Sequence, residues 1–583
     1  MSDAVEEALG AALGVAAAGA AAEGRRRGGD RGGAERSSEG ASGRWAAEKS
    51  QGWHRGRFYD GAMSLAAVAA SLALAAVPDR VSVIVPESRA DLLEGGASAG
   101  RVLLFLKSPA ARVRSEIPAD GPFPDDPQPM YSRAAPRVEA GVEIEFGDDA
   151  EAFPVPISQL RGRFQVQAVL DRDRTERRHL APGNLVSEVV EVDFDPDSEQ
   201  VVRIPFSRRL PPAEAPPEID GVAWEEMPSR MLSDFAKKPA SIRAGVVLPR
   251  RYHELSAPRR QWPVVYVIPG FGGRHTMAAQ YARMVAMAPA QLVAPQVAWV
   301  VLDPETPLGH HGFADGDRHG PVARALVEEF IPWLEEKYRF VPAPEARIVT
   351  GHSSGGWSAL WLQLAHPATF GACFASAPDP VDFSAFQRSD LYRDESLFKD
   401  AEGAIQPSLR APLGAEYDRI LLTVADEVAM ERVLDPDGDS GEQWDAWNAV
   451  FSRVDATSGR SRPMFDRRSG SIDRAVVEQD WSRYDIAKLL ERNWSSLGPI
   501  MVSRVRLLCG DRDGFYLDRA VSKLRELVQR KRAESAAAGT PLEGPGYVEL
   551  VPGATHGTLP SMAKLRWHGE MREHLRRHGL ADD

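Results

Sequence analysis

Cysteine is nearly absent from this chain: Cys373 and Cys509 are the only two in 583 residues. Each sits in an apolar run and neither has a C-x-x-C partner, which argues against a disulfide framework or a cysteine zinc site and leaves two core thiols. Basic blocks are missing as well. With a formal charge of −13 and no Lys/Arg cluster in the part expected to fold, the chain lacks the electrostatic footprint of a nucleic-acid binder. A membrane-length apolar stretch is not found either, since the run from Met63 to Pro78 offers about 13 apolar residues where a spanning helix needs ~20, so stable membrane insertion is not expected.

That run does have the marks of a signal peptide. Arg55 and Arg57 lie upstream and Ala73-Leu74-Ala75 forms a small-x-small cleavage site. The reading requires translation to begin near Met63; export to the periplasm or beyond then follows, and otherwise the protein stays in the cytoplasm. The alternative for residues 63–78 is a short Ala-rich helix. Residues 1–62 are built from Ala, Gly, Arg, Glu and Ser, too few of them apolar and large to offset ordering entropy, and are expected to be a disordered leader.

What is present after residue 78 is organised in two regimes. Over 79–210, runs such as Val81 to Val85, Val142 to Phe146, Arg163 to Leu170 and Val186 to Val192 are broken by Gly, Pro and Asp. Short strands at this spacing predict an antiparallel β-sandwich of six or seven strands, serving as a packing or substrate-positioning module. Pro211, Pro212, Pro216 and Pro217 mark a stiff linker over 211–225. From 226 to 583 the apolar runs become continuous, as in Val264 to Ile268, Val297 to Leu302 and Val505 to Cys509, and most alternate with helical segments. Strands buried on both faces lose the period of two, so this part is expected to be an α/β domain with a mainly parallel sheet. The helix expected over 321–338 carries Val322, Leu326, Phe330, Leu334 and Tyr338 as one apolar stripe.

Ile348-Val349-Thr350-Gly351-His352-Ser353-Ser354-Gly355-Gly356 has the order of a nucleophile elbow: a β-branched strand, a G-x-S-x-G turn, then a helix that Pro367 ends. A serine hydroxyl is a weak nucleophile near neutral pH. It needs an imidazole to take its proton, an acid to hold the imidazole, and N–H donors for the oxyanion. The chain supplies these in the order expected of an α/β-hydrolase. After the strand Val505 to Cys509 comes Gly510-Asp511-Arg512-Asp513, and after Tyr547 to Val551 comes Pro552-Gly553-Ala554-Thr555-His556. Asp513 is preferred to Asp511 and Asp518 by its G-x-x-D spacing. Ile268-Pro269-Gly270-Phe271-Gly272-Gly273 follows the third strand, and the N–H groups of Phe271 and Ser354 are the expected oxyanion pair.

From about Ser241 onward the chain resembles the putative esterase (esterase D-like) family of α/β-hydrolases, which includes feruloyl and enterochelin esterases and mycolyltransferases. The resemblance is carried by Pro263 to Gly273, by Glu328-Glu329-Phe330-Ile331-Pro332-Trp333-Leu334 with Tyr338, and by Arg347 to Gly356. It implies a Ser353/Asp513/His556 triad. The family often has Met after the serine, where this chain has Ser354. A second departure is the long stretch between the strand after the elbow and the acid strand, expected to fold as a partly helical cap over residues 379–503. Its Trp444, Trp447, Trp481 and Tyr484 are either substrate-binding walls or the cap's own core.

Two clusters resemble metal sites without making a metal expected, and no cofactor is expected. Asp435, Asp437 and Asp439 alternate as in a calcium loop, but Ser440 and Ala446 stand where such a loop needs Gly and Glu. His310, His311, Asp315, Asp317 and His319 cluster after the fourth strand, where the rim of a hydrolase crevice is also expected. The resulting expectation is a serine hydrolase that cleaves carboxylic esters through an acyl-enzyme, acting on a small-molecule or polysaccharide-linked ester. The alternatives are acyl transfer to a sugar or lipid hydroxyl, and a non-catalytic binding protein on a hydrolase scaffold.

Overall fold

The computed structural model describes residues 80–94, 99–173, 175–195, 201–253, 260–287, 296–413 and 417–581. The expected leader and signal segment lie outside these residues.

The larger sheet has eight strands, numbered here along the chain: β1 (Val222–Pro228), β2 (Ser241–Val247), β3 (Val264–Ile268), β4 (Ala298–Leu302), β5 (Arg347–His352), β6 (Ala372–Ser376), β7 (Val505–Gly510) and β8 (Tyr547–Val551). Their order across the sheet is β1-β2-β4-β3-β5-β6-β7-β8. The β1/β2 and β2/β4 pairings are antiparallel and the others parallel. Every residue of β3, β4, β6 and β7 is buried. Helices cover both faces of these strands, so they read as unbroken apolar runs. Cys373 on β6 and Cys509 on β7 are free and buried, as expected of core thiols. The edge strand β1 begins at Val222, so the domain's sheet starts inside the stretch 211–225 expected to be linker.

The helical stripe Val322, Leu326, Phe330, Leu334 and Tyr338 is buried throughout. It runs through two α segments joined by a π turn at Leu326–Phe330. A strict four-residue repeat drifts by about 40° per step on a 3.6-residue helix. The wider π turn takes up that drift and keeps the five side chains on one face.

The described residues of 80–209 form a nine-stranded sheet, eight strands in one connected path and the ninth, Val190–Phe194, pairing beside it with Gly162–Asp171; its inner face closes over Val81, Val83, Leu104, Val166, Leu170 and Phe206. The expectation of an all-antiparallel sandwich of six or seven strands is corrected here. Arg80–Ile84 pairs parallel with Val201–Arg209, so the start and end of the domain run side by side. Met130–Ala135 and Glu151–Phe153 are additional strands. One ends in alanines and the other is only three residues long, so neither carries a clear alternation.

The second face of this sheet is also covered. Leu103, Phe105, Met130, Phe153, Val169 and Val186 pack against Leu409, Leu422, Met430, Val433 and Leu434 of the 379–503 insertion. That is why Val102 to Leu106 is apolar at every position: Leu104 faces the inner core and Leu103 and Phe105 face the insertion. The insertion contains a hairpin, Pro407–Leu413 with Tyr417–Thr423, and the helices Val424–Leu434, Gln443–Phe451, Arg474–Gln479 and Ile486–Arg492. It therefore joins the β domain to the hydrolase sheet through an apolar contact.

Candidate active site

The site lies at the carboxyl ends of the parallel strands, where the loops after β3, β5, β6, β7 and β8 meet at one rim. Ser353 follows β5 with φ 59° and ψ −128°, a conformation costing a non-glycine residue about 1–3 kcal/mol. Hydrogen bonds hold it there. Its N–H donates to the Ser376 carbonyl at 3.0 Å, and its own carbonyl accepts from Gly356 at 2.8 Å and Trp357 at 3.1 Å. The glycines on either side are sterically required. A Cβ on Gly351 would lie 2.1 Å from the Gly355 carbonyl oxygen, and one on Gly355 would lie 2.0 Å from the Ile268 oxygen. The elbow is thus pressed against the end of β3, where the Phe271 loop begins.

His556, after β8, has its Nδ1 at 2.7 Å from Asp513 Oδ2. The carboxylate can only accept, so Nδ1 carries the proton and Nε2 is left free to act as a base. Asp513 is fully buried, and its other oxygen accepts from the Phe515 N–H at 2.9 Å. Its neighbours are occupied elsewhere: Asp511 accepts from the Gly553 N–H, and Asp518 pairs with Arg410. The His556 ring lies against His352, with centroids 4.4 Å apart, and meets Phe515 edge-on at 4.8 Å, which places it beside the elbow. Burial alone would lower the His556 pKa, but the Asp513 charge and hydrogen bond outweigh it and raise the value above the ordinary 6.5. His352 is shifted the other way, by burial and by His556, and stays neutral.

Among the described residues, the N–H groups of Phe271 and Ser354 have no hydrogen-bond acceptor. The next N–H in the loop, that of Gly272, donates to Glu305 Oε1 at 3.0 Å. Asp379, just beyond β6, accepts from Ser354 Oγ at 2.6 Å and from Trp447 Nε1 at 2.8 Å. Sequence reasoning missed Asp379 and Glu305; their signal was a carboxylate within a few residues of the end of a parallel strand. The insertion also reaches the acid loop, where Arg410 Nε donates to the Asp513 carbonyl at 2.9 Å.

The four cap aromatics are placed differently from a pocket wall. Trp444, Trp447, Trp481 and Tyr484 are all buried, and with Phe383, Phe386 and Phe451 they form one cluster of edge-to-face and tilted rings. The substrate-binding assignment is corrected accordingly: these rings fill the insertion's interior and present almost no surface to a ligand. Tyr484 reaches a surface cavity of about 290 Å³, with Phe235, Asp315 and Arg324, that none of Ser353, Asp513 and His556 lines.

Among the described residues no group of three or more His, Cys, Asp or Glu could hold a metal. Asp437 and Asp439 are paired with Arg460, and Asp439 also with Arg318. His310 and His311 accept from the backbone N–H groups of Gly312 and Phe313. Burial lowers the pKa of His310, His311 and His319 and keeps them neutral.

Among solved structures, a ferulic acid esterase is 15% identical, covering 60% of this chain and 98% of its own, with a TM-score of 0.34. An S-formylglutathione hydrolase from Agrobacterium tumefaciens is 16% identical, covering 61% and 97%, with a TM-score of 0.32. The ferulic acid esterase AmCE1/Fae1A from Anaeromyces mucronatus is 14% identical, covering 61% and 92%, with a TM-score of 0.28. At these scores the likeness is descriptive only. No curated protein matches the chain. The family model for "Putative esterase" matches residues 238–539, just over half of the chain. The chain belongs to the putative esterase family and is a carboxylic ester hydrolase.

Proposed function

We propose that the protein hydrolyses its ester through an acyl-enzyme on Ser353, with His556 as proton shuttle and Asp513 as its orienting acid. The observation that carries this reading is the 2.7 Å contact of His556 Nδ1 with a buried Asp513 beside the strained serine. Ser353 Oγ attacks the ester carbonyl carbon while its proton passes to His556 Nε2. The oxyanion of the tetrahedral intermediate accepts hydrogen bonds from the Phe271 and Ser354 N–H groups. Collapse breaks the bond to the alcohol, which leaves with the proton from His556. Water, deprotonated by the same nitrogen, then releases the acid and restores Ser353. The proposed substrate is a small-molecule or polysaccharide-linked ester.

Replacing Ser353 by Ala removes the atom that forms the acyl bond. Hydrolysis of a short-chain p-nitrophenyl ester by Ser353→Ala is expected to fall by about 10⁴–10⁶-fold. Near wild-type turnover by a folded Ser353→Ala protein contradicts the assignment.

A further inference from the structure

We infer that the β domain is part of the catalytic apparatus, because its Arg177 positions the oxyanion loop. Arg177 lies between the strands Gly162–Asp171 and Leu185–Ser187, far in sequence from the elbow. Its side chain is 14% exposed and its contacts converge on the rim. Nε is 3.2 Å from Glu305 Oε2, Nη1 is 2.6 Å from Glu442 Oε1, and the guanidinium carbon stands 4.9 Å from the centroid of the Phe271 ring. Glu305 uses its other oxygen to accept the Gly272 N–H. One guanidinium therefore holds both the side chain of Phe271, the proposed oxyanion donor, and the carboxylate that anchors the next peptide.

The loop needs such a hold. Gly270, Gly272 and Gly273 surround Phe271, and Gly272 has φ +75°, so the segment has little stiffness of its own. Arginine suits the task where lysine does not. Its planar fork can bond two carboxylates at once and still stack on a ring, whereas an ammonium offers a single point of charge. Burial pushes the Glu305 carboxyl up and Arg177 opposes that shift. Without Arg177, Glu305 and Glu442 would remain as two carboxylates without this shared counter-ion, and Glu305 would be drawn toward water or protonation, loosening Gly272. The oxyanion forms only along the reaction path, so a displaced Phe271 N–H costs turnover rather than substrate binding.

This inference rests on the acyl-enzyme reading, and the experiment separates the two. Kinetics on a short-chain p-nitrophenyl ester and thermal midpoints are measured for Arg177→Met, Arg177→Lys, Glu305→Gln and the Arg177→Met/Glu305→Gln double variant. A misplacement near 1 Å costs about 10²-fold, so Arg177→Met and Glu305→Gln are each expected to lower kcat by about 10–100-fold with KM changed less than about threefold. Arg177→Lys should fall between them and wild type. The double variant should be little worse than the worse single one, since both cut the same tie.

Wild-type kcat in folded variants, with only a lower thermal midpoint, makes Arg177 a domain staple and overturns the inference. Losses that multiply in the double variant overturn it too. If Arg177→Met does not fold, Arg177→Lys and Glu305→Gln decide by the same kcat criterion. An ester hydrolysis that survives Ser353→Ala refutes the acyl-enzyme reading itself, whatever Arg177 does.

Discussion

The rim loops and the 379–503 insertion meet at the same site but are fixed by different means. Each rim loop is short and its position follows from the strand before it: Ser353 from β5, Asp513 from β7, His556 from β8. The insertion is positioned by contacts made far along the chain. Its helix Val424–Leu434 lies on the β domain and its Arg410 bonds the Asp513 carbonyl in the loop after β7. Rim substitutions should therefore change chemistry with little effect on stability, and insertion-core substitutions should do the reverse.

The sharpest way to press that contrast is Asp513→Asn. The amide keeps the shape but can hold His556 in the wrong tautomer, and a loss of about 10⁴-fold in kcat is expected with the thermal midpoint nearly unchanged. The pH profile follows the same pair. In the proposed role of base His556 must be neutral, and Asp513 raises its pKa. kcat/KM should therefore rise with pH through an apparent pKa above the ordinary 6.5. A limb below 6.5 would separate His556 from the charge of Asp513.

Trp481→Ala should invert the pattern. Trp481 is fully buried, packs on Phe383, Phe386 and Phe451, and its Nε1 donates to Ser452 Oγ at 2.8 Å. Truncation is expected to cost about 3–5 kcal/mol of stability by denaturant unfolding, while the folded fraction keeps its ranking of aryl, acetyl-sugar and aliphatic esters. A changed ranking at full stability would return the ring to the substrate pocket.

A smaller effect comes from the acids beneath these tryptophans. Glu427, which accepts from Trp444 Nε1 at 3.1 Å, is pushed by burial up to about 7. Burial also raises Glu431 well above 4.5, with Asp445 adding to it. A carboxyl whose folded pKa is raised contributes stability that is complete below about 4.5 and is lost as pH climbs through the folded value. The thermal midpoint should thus fall between pH 5 and pH 8, and Glu427→Gln should flatten that slope. A slope unchanged in Glu427→Gln assigns it to other groups.

The same contrast governs what could be read from the sequence. The elbow was legible because strand, turn and helix are contiguous; the steric need for Gly351 arises within that turn, whereas the need for Gly355 arises against Ile268 at the end of β3. Asp513, preferred to Asp511 and Asp518 by spacing, is the one of the three whose carboxylate meets His556. The cap tryptophans were legible as large apolar groups but not as core. Nothing local to Trp444 tells that Phe386 and Phe465 will close around it. Arg177 was less accessible still, since Glu305 and Glu442 meet it across 128 and 265 positions. The parallel pairing of Arg80–Ile84 with Val201–Arg209 was hidden for the same reason: alternation reports faces, not partners.

The central claim is that Ser353 is a nucleophile activated by His556, and covalent labelling tests it most directly. Intact-mass and peptide-mass measurement after treatment with a fluorophosphonate should find one adduct, on the peptide carrying Ser353. It should be absent in Ser353→Ala and strongly slowed in His556→Ala. An adduct on another residue, or equal labelling of Ser353 in wild type and His556→Ala, would contradict the account.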